Sequence, residues 1–159
     1  MRVNPPFRES DNTAKSEFSI PATLSALPRV DIIYAHANMS PDLITAAAAN
    51  GAKGIVIAGV GDGNMTAPAL EAVKQAVAKG VVVVRSSRVN GGIMRRNIEV
   101  NDDQIGTVAS MELNPGKARV LLQLGIRIRA AIGGARVVGG RLCCKDALRT
   151  RAAGGNVNL

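Results

Sequence analysis

The turn Gly59-Val60-Gly61-Asp62-Gly63-Asn64 follows a β-branched run and precedes a helix-forming stretch. That is where an α/β sheet presents its ligand-binding loops. The turn does not fit the GxGxxG dinucleotide fingerprint, because Gly59 and Gly61 fill the first two positions but Asn64 stands at the third. Asp62 would also repel a pyrophosphate, and no helix opens before Thr66. The plain reading is a flexible strand-to-helix turn that lets a backbone or a small ligand come close. His36 is the only histidine, and no Cys, Asp or Glu cluster stands at ligand spacing around it. It therefore reads as a hydrogen-bonded loop residue, and neither a metal nor a cofactor is expected. Ser86 and Ser87 have no base near them in sequence, and pairing with His36 would need a carboxylate to orient the ring. Arg88 reads as a loop anchor and Arg95-Arg96 as a solvated face. Cys143 and Cys144 are adjacent, which suits neither a CxxC redox pair nor a metal knuckle.

These groups need a frame, and the pattern from Val30 to Leu124 supplies one. Val30-Asp31-Ile32-Ile33-Tyr34-Ala35 reads as a first strand, and Ser40-Pro41-Asp42 opens a helix with Ser40 as its cap. Asn50-Gly51 ends that helix. Gly54-Ile55-Val56-Ile57-Ala58 is apolar on successive residues, as in a strand covered on both faces. Thr66 caps a second helix with Leu70, Val73 and Val77 as its buried stripe and Ala69, Ala72 and Ala76 beside it. Val81 to Val84 reads as a third strand, followed by a loop from Arg85 to Asp103. Asn114-Pro115 then opens a last helix carrying Ala118, Leu121 and Leu122. This order predicts an α/β fold, a small parallel β-sheet flanked by helices on both faces. Loops 36–38, 61–64 and 86–89, at the carboxyl ends of the three strands, should then share one side.

The rest of the chain is of another kind. Residues 1–26 read as a polar, proline-interrupted linker, residues 27–124 as the folded domain, and residues 125–159 as a disordered or frame-shifted basic tail. Residues 126–159 hold seven Lys or Arg against one acid, so most of the formal +8 lies there. With Tyr34, Phe7 and Phe18 as the only aromatics, a base-stacking surface is not expected and nucleic acid is a minor alternative, confined to the tail. Met1 to Ile20 has no apolar stretch of the kind a secretory signal carries, and no run approaches membrane-spanning length.

Four blocks in order go further than spacing does. They are Leu27-Pro28-Arg29-Val30-Asp31-Ile32-Ile33-Tyr34, then Gly54-Ile55-Val56 through Gly59-Val60-Gly61-Asp62-Gly63-Asn64, then Val84-Arg85-Ser86-Ser87-Arg88-Val89, then Leu113-Asn114-Pro115 with Lys117-Ala118-Arg119. Over about residues 16–124 they resemble the C-terminal domain of bacterial L-asparaginases, in particular the type II and glutaminase-asparaginase branch. The resemblance implies a three-layer α/β domain from an enzyme that hydrolyses L-asparagine, and in some members L-glutamine, through a threonine nucleophile and an acyl-enzyme. In the family the nucleophile lies in an N-terminal domain, within TGGTI-like and HGTDT-like motifs, and the C-terminal domain completes the site of a neighbouring subunit. Neither motif occurs here: Thr13, Thr23, Thr45, Thr66, Thr107 and Thr150 stand in other contexts. Two residues transfer by motif. Asn64 matches the asparagine of the glycine-rich turn, and Glu99, in Glu99-Val100-Asn101-Asp102-Asp103, matches the glutamate that reaches across the dimer.

The resemblance therefore implies L-asparagine as substrate, an asparaginase N-terminal domain and a homotetramer as partners, and a periplasmic or secreted setting for type II members. No membrane partner is implied. Asp62 stands where the family often has asparagine, and the Gly-, Arg- and Ala-rich tail replaces the family's closing helix. The chain reads as a fragment, cut at the front, altered at the back and inactive alone. The alternative is a non-catalytic α/β module that binds a small ligand or a partner.

Overall fold

The computed structural model describes residues 26–131. Strand β1 (Val30–Tyr34), helix α1 (Asp42–Ala49), β2 (Gly54–Gly59), α2 (Ala67–Ala78), β3 (Val82–Ser87), the short helix α3 (Asp102–Ile105), β4 (Val108–Ala109) and α4 (Pro115–Ala131) follow in order. The four strands form one sheet in the order β1-β2-β3-β4, and every neighbouring pair is parallel. The expected α/β class and parallel sheet are what the structure shows.

Strand alternation divides the core in two. Ile33, Ile55, Ile57 and Val83 turn to one face and pack with α1 and α2, whereas Val30, Val56, Val84 and Val108 turn to the other and pack with α4. Every residue of β2 is buried, which is why that strand shows no polar alternation in the sequence. The contact stripe of α2 differs from the expected one. Ala69, Ala72, Val73 and Ala76 are buried, while Leu70 and Val77 are half-buried. Small side chains let α2 lie close to the sheet and to α1, and the larger residues flank that contact. The helix caps follow the sequence. Thr66 Oγ1 accepts from Ala69 N–H at 3.4 Å, and Ser40 Oγ accepts from Asp42 N–H at 3.2 Å ahead of a Pro41 that already has helical angles (φ −69°, ψ −11°).

Two parts of the chain differ from the sequence reading. Strand β3 continues through Arg85, Ser86 and Ser87, α3 begins inside the end of the segment expected as loop, and β4 follows it without having been expected. Helix α4 runs past Leu124 to Ala131, so the composition change at Gly125 does not end it. Its inward residues explain this continuation. Ala118 and Leu122 are buried against the sheet and Ile126 joins them one turn later. On an adjacent stripe, Arg119 Nε donates to Val30 O (2.8 Å), Gln123 Nε2 to Pro28 O (3.1 Å) and Arg127 Nη1 to Ala26 O (3.4 Å). Leu121, expected inward, is half-buried and lies outside this cluster. Gly54 makes the close approach of α4 possible, since a Cβ there would fall 2.7 Å from Leu122 Cδ2. The expectations for residues 132–159 and for most of the linker lie outside the described residues.

Leu122 is the deepest large side chain that α4 offers the sheet. Leu122→Ala is expected to cost about 2–5 kcal/mol of unfolding free energy, the usual range for a leucine emptied from a core. Urea unfolding monitored by circular dichroism checks this; a loss below about 1 kcal/mol would place α4 outside the cooperative core.

Candidate functional site

Because the sheet is parallel, the ends of β1, β2 and β3 deliver their loops to one edge. The glycine-rich turn closes on itself there: Val60 and Asn64 exchange two backbone hydrogen bonds of 2.8 Å. A Cβ on Gly59 would lie 2.4 Å from the Gly63 carbonyl carbon, so only glycine permits this closure. Within the turn, Asn64 Oδ1 accepts from Met65 N–H at 2.8 Å. That contact fixes the amide plane of an exposed side chain whose Nδ2 has no partner among the described residues.

The turn is held from beneath by Arg85. This arginine occupies a central strand and is fully buried. A guanidinium has five N–H donors, and each has an acceptor here. Nε and Nη2 grip Asp102 Oδ1 and Oδ2 at 2.6 and 2.7 Å, Nη1 reaches Asp62 O (3.2 Å) and Gly63 O (3.1 Å), and Nη2 also reaches Arg95 O (3.5 Å). Asp102 is equally saturated. Thr107 Oγ1 donates to its Oδ1 at 2.6 Å and Asn97 N–H to its Oδ2 at 2.9 Å. Burial alone would raise the Asp102 carboxyl. The hydrogen bonds from Arg85, Asn97 N–H and Thr107, with the charge of Arg85, outweigh it and hold the group below its ordinary value.

The segment after β3 folds around the same pair. Asp62 accepts from Arg95 N–H (2.6 Å) and pairs with its guanidinium (2.9 Å). Asn97, at φ 59°, donates from Nδ2 to Asp103 Oδ2 at 2.8 Å, and Arg96 pairs with Asp103. Asn101 caps α3 by accepting from Gln104 N–H at 3.0 Å. Glu99 lies between these anchors, exposed, and its carboxylate has no partner among the described residues. Asn64 and Glu99 thus stand on two segments that share one buried clamp. Neither lines the open groove of about 750 Å³ nearby, which Tyr34, Arg88, Met94, Glu112 and Pro115 border.

The remaining candidates are spent on structure. Ser86 Oγ donates to Leu113 O (2.9 Å) and Ser87 Oγ to Gly61 O (2.5 Å). His36 Nδ1 lies 2.8 Å from Ala37 O, with no serine bonded to it among the described residues. Thr45 bonds Pro41 O, Thr66 caps α2 and Thr107 holds Asp102. Arg88 is exposed, and the backbone N–H of Arg88, not its side chain, anchors the loop to Gly59 O (2.9 Å). Arg95 is largely exposed, as expected of a solvated residue, but pairs with Asp62 of the turn, and the more covered Arg96 pairs with Asp103. The sequence reading missed Arg85 and Asp102. An arginine directly after four valines, in a strand with both faces covered, was the available signal: such a charge must find a carboxylate.

Comparison with known proteins agrees in one direction. The family described as the glutaminase/asparaginase C-terminal domain matches residues 29–131. The chain is similar to a protein of Haemophilus influenzae named probable periplasmic L-asparaginase, 48% identical over 74% of this chain and 34% of the relative. It is 44% identical to L-asparaginase 2 of Escherichia coli strain K12, over 72% of this chain and 33% of that protein. It is 40% identical to a glutaminase-asparaginase of Pseudomonas fluorescens biotype A, over 72% of this chain and 32% of that protein. The chain therefore spans about a third of the length of the relatives it matches.

The depressed Asp102 carboxyl carries a sign. Its contribution to stability is fully present above the unfolded carboxyl value of about 3.9 and is lost as pH falls through the lower folded value. Urea unfolding between about pH 2 and 6 should show an acid loss of stability that Asp102→Asn shrinks. An unchanged acid slope in the variant would remove Asp102 from the account.

Proposed function

This chain belongs to the glutaminase/asparaginase C-terminal domain family, and from that premise we propose that it is the C-terminal domain of an amidohydrolase that converts L-asparagine to L-aspartate and ammonia. In this reading the domain completes the active site of a neighbouring subunit within a homo-oligomer, and an N-terminal domain brings the threonine nucleophile. The reading rests on one juxtaposition. A carboxylate without a partner among the described residues, Glu99, and an oriented amide, Asn64, occupy two segments tied to the same buried arginine. An amino-acid substrate presents an ammonium, which a carboxylate binds by a charge-assisted hydrogen bond. Glu99 is the group for that contact. Asn64, with Oδ1 held by Met65 N–H, keeps its amide nitrogen to donate, either to the substrate or to a catalytic side chain beside it. L-Glutamine differs from L-asparagine by one methylene and is the second substrate to test, as three relatives are named glutaminase-asparaginase. The relative named periplasmic makes the periplasm the first compartment to examine.

By itself this chain is expected to release no ammonia from L-asparagine, because none of its described threonines stands free to form an acyl-enzyme. Enzyme-like turnover by protein free of contaminating asparaginase would defeat that expectation.

When the chain is combined with a separately made asparaginase N-terminal domain, Glu99→Ala and Asn64→Ala should each lower kcat/KM for L-asparagine about ten- to a hundredfold. Circular dichroism serves as the folding control. Wild-type rates in both variants would show that these residues do not face the reacting substrate.

A further inference from the structure

We infer that Arg85 is a positioning residue that sets the Asn64 turn and the Glu99 segment as one unit, with Asp102 and Thr107 holding Arg85 in place. The inference rests on the reading of Asn64 and Glu99 as the substrate-facing pair, but its geometry stands apart from that reading. Nη1 of Arg85 holds the turn through two carbonyls, Asp62 O and Gly63 O, and so supports the residue just before Asn64. Nε and Nη2 hold the other segment through both oxygens of Asp102, with Arg95 O as a further acceptor. Asp102 in turn fixes Asn97 N–H, two residues before Glu99. A planar guanidinium cannot shift toward one set of partners without loosening the other, so it fixes the spacing of the segments from beneath, alongside the Asp62–Arg95 contact that also joins them. Lysine would keep the charge and lose that fork.

Thr107 gives access to the device without breaking it. Its hydroxyl touches Asp102 and no residue of the glycine turn, so its effect reaches the turn through Arg85 or through the Asp62–Arg95 contact, and repeating Thr107→Val beside Asp62→Ala closes the second route. The test is amide hydrogen exchange by NMR on the full 159-residue chain, comparing wild type with Thr107→Val, Thr107→Ser and Arg85→Lys. Val60 and Asn64 report on the turn, Arg95 and Asn97 on the other segment, and Ile57 and Val83 on the sheet. Thr107→Val should speed exchange at both segments by roughly tenfold or more and leave the sheet unchanged. Thr107→Ser, which keeps the hydroxyl, should restore most of the protection, and Arg85→Lys should uncouple both segments. Faster exchange confined to residues 95–97 would overturn the inference. So would an even rise across the sheet, or a serine variant no better than valine. If Arg85→Lys does not fold, the threonine pair alone decides. Exchange does not depend on turnover, so a failure here leaves the roles of Asn64 and Glu99 to the kinetic test, and the reverse.

Discussion

The glycine turn and the segment after β3 both depend on a charge placed where charges are least tolerated. Arg85 and Asp102 are both fully buried, and taking such ions out of water costs several kcal/mol each. The pair persists because all five guanidinium donors and both carboxylate oxygens are matched. Removing either partner would leave the other uncompensated, a change that typically costs about 3–5 kcal/mol. A hydrophobic pair could give comparable stability, but it could not present five directed hydrogen bonds to three separate stretches of backbone and side chain. Directed bonding is what a site assembled from loops requires.

The rest of the fold makes that placement possible. A strand covered on both faces gives Arg85 a dry setting, with α2 packing on one side of the sheet and α4 on the other. Short β4 pairs with β3 at Val84 and Arg85, closing the sheet beside the clamp. Helix α4 is fixed twice, by Ala118, Leu122 and Ile126 against the sheet and by Arg119, Gln123 and Arg127 against carbonyls of residues 26–30. Loops that carry function are free to be polar and exposed because a rigid frame holds their ends.

What was legible in the sequence was local. Runs such as Gly54 to Ala58, the Ser40 and Thr66 caps and the Asn50-Gly51 stop each carry their structural meaning within a few residues. The parallel order followed from their alternation. What was not legible depends on distant partners. Arg85 read as the start of a loop because nothing near it in sequence neutralises it, and Asp102 lies 17 positions away. Strand β4 has only two residues, too few to show a period. The extension of α4 beyond Gly125 is set by contacts with residues 26–30 rather than by composition, which changes at that point. Within the site, Asn64 and Glu99 entered through a family resemblance; spacing alone offered the glycine turn and no reason to join it to an acid 35 positions on.

The functional account joins two levels: a family match over residues 29–131, and a geometry in which a carboxylate and an amide are offered on segments sharing one anchor. On the proposed reading these two side chains serve one bound molecule, Glu99 through its ammonium and Asn64 directly or through a catalytic side chain beside it. A double-mutant cycle tests that most directly. Turnover of L-asparagine by the chain assembled with an N-terminal domain would be compared for wild type, Asn64→Ala, Glu99→Ala and the double variant. Strongly non-additive losses are expected, with an interaction of about 1 kcal/mol or more, as for groups that hold one substrate together. Losses that add within about 0.3 kcal/mol would mean that the two residues act independently, and would contradict that reading.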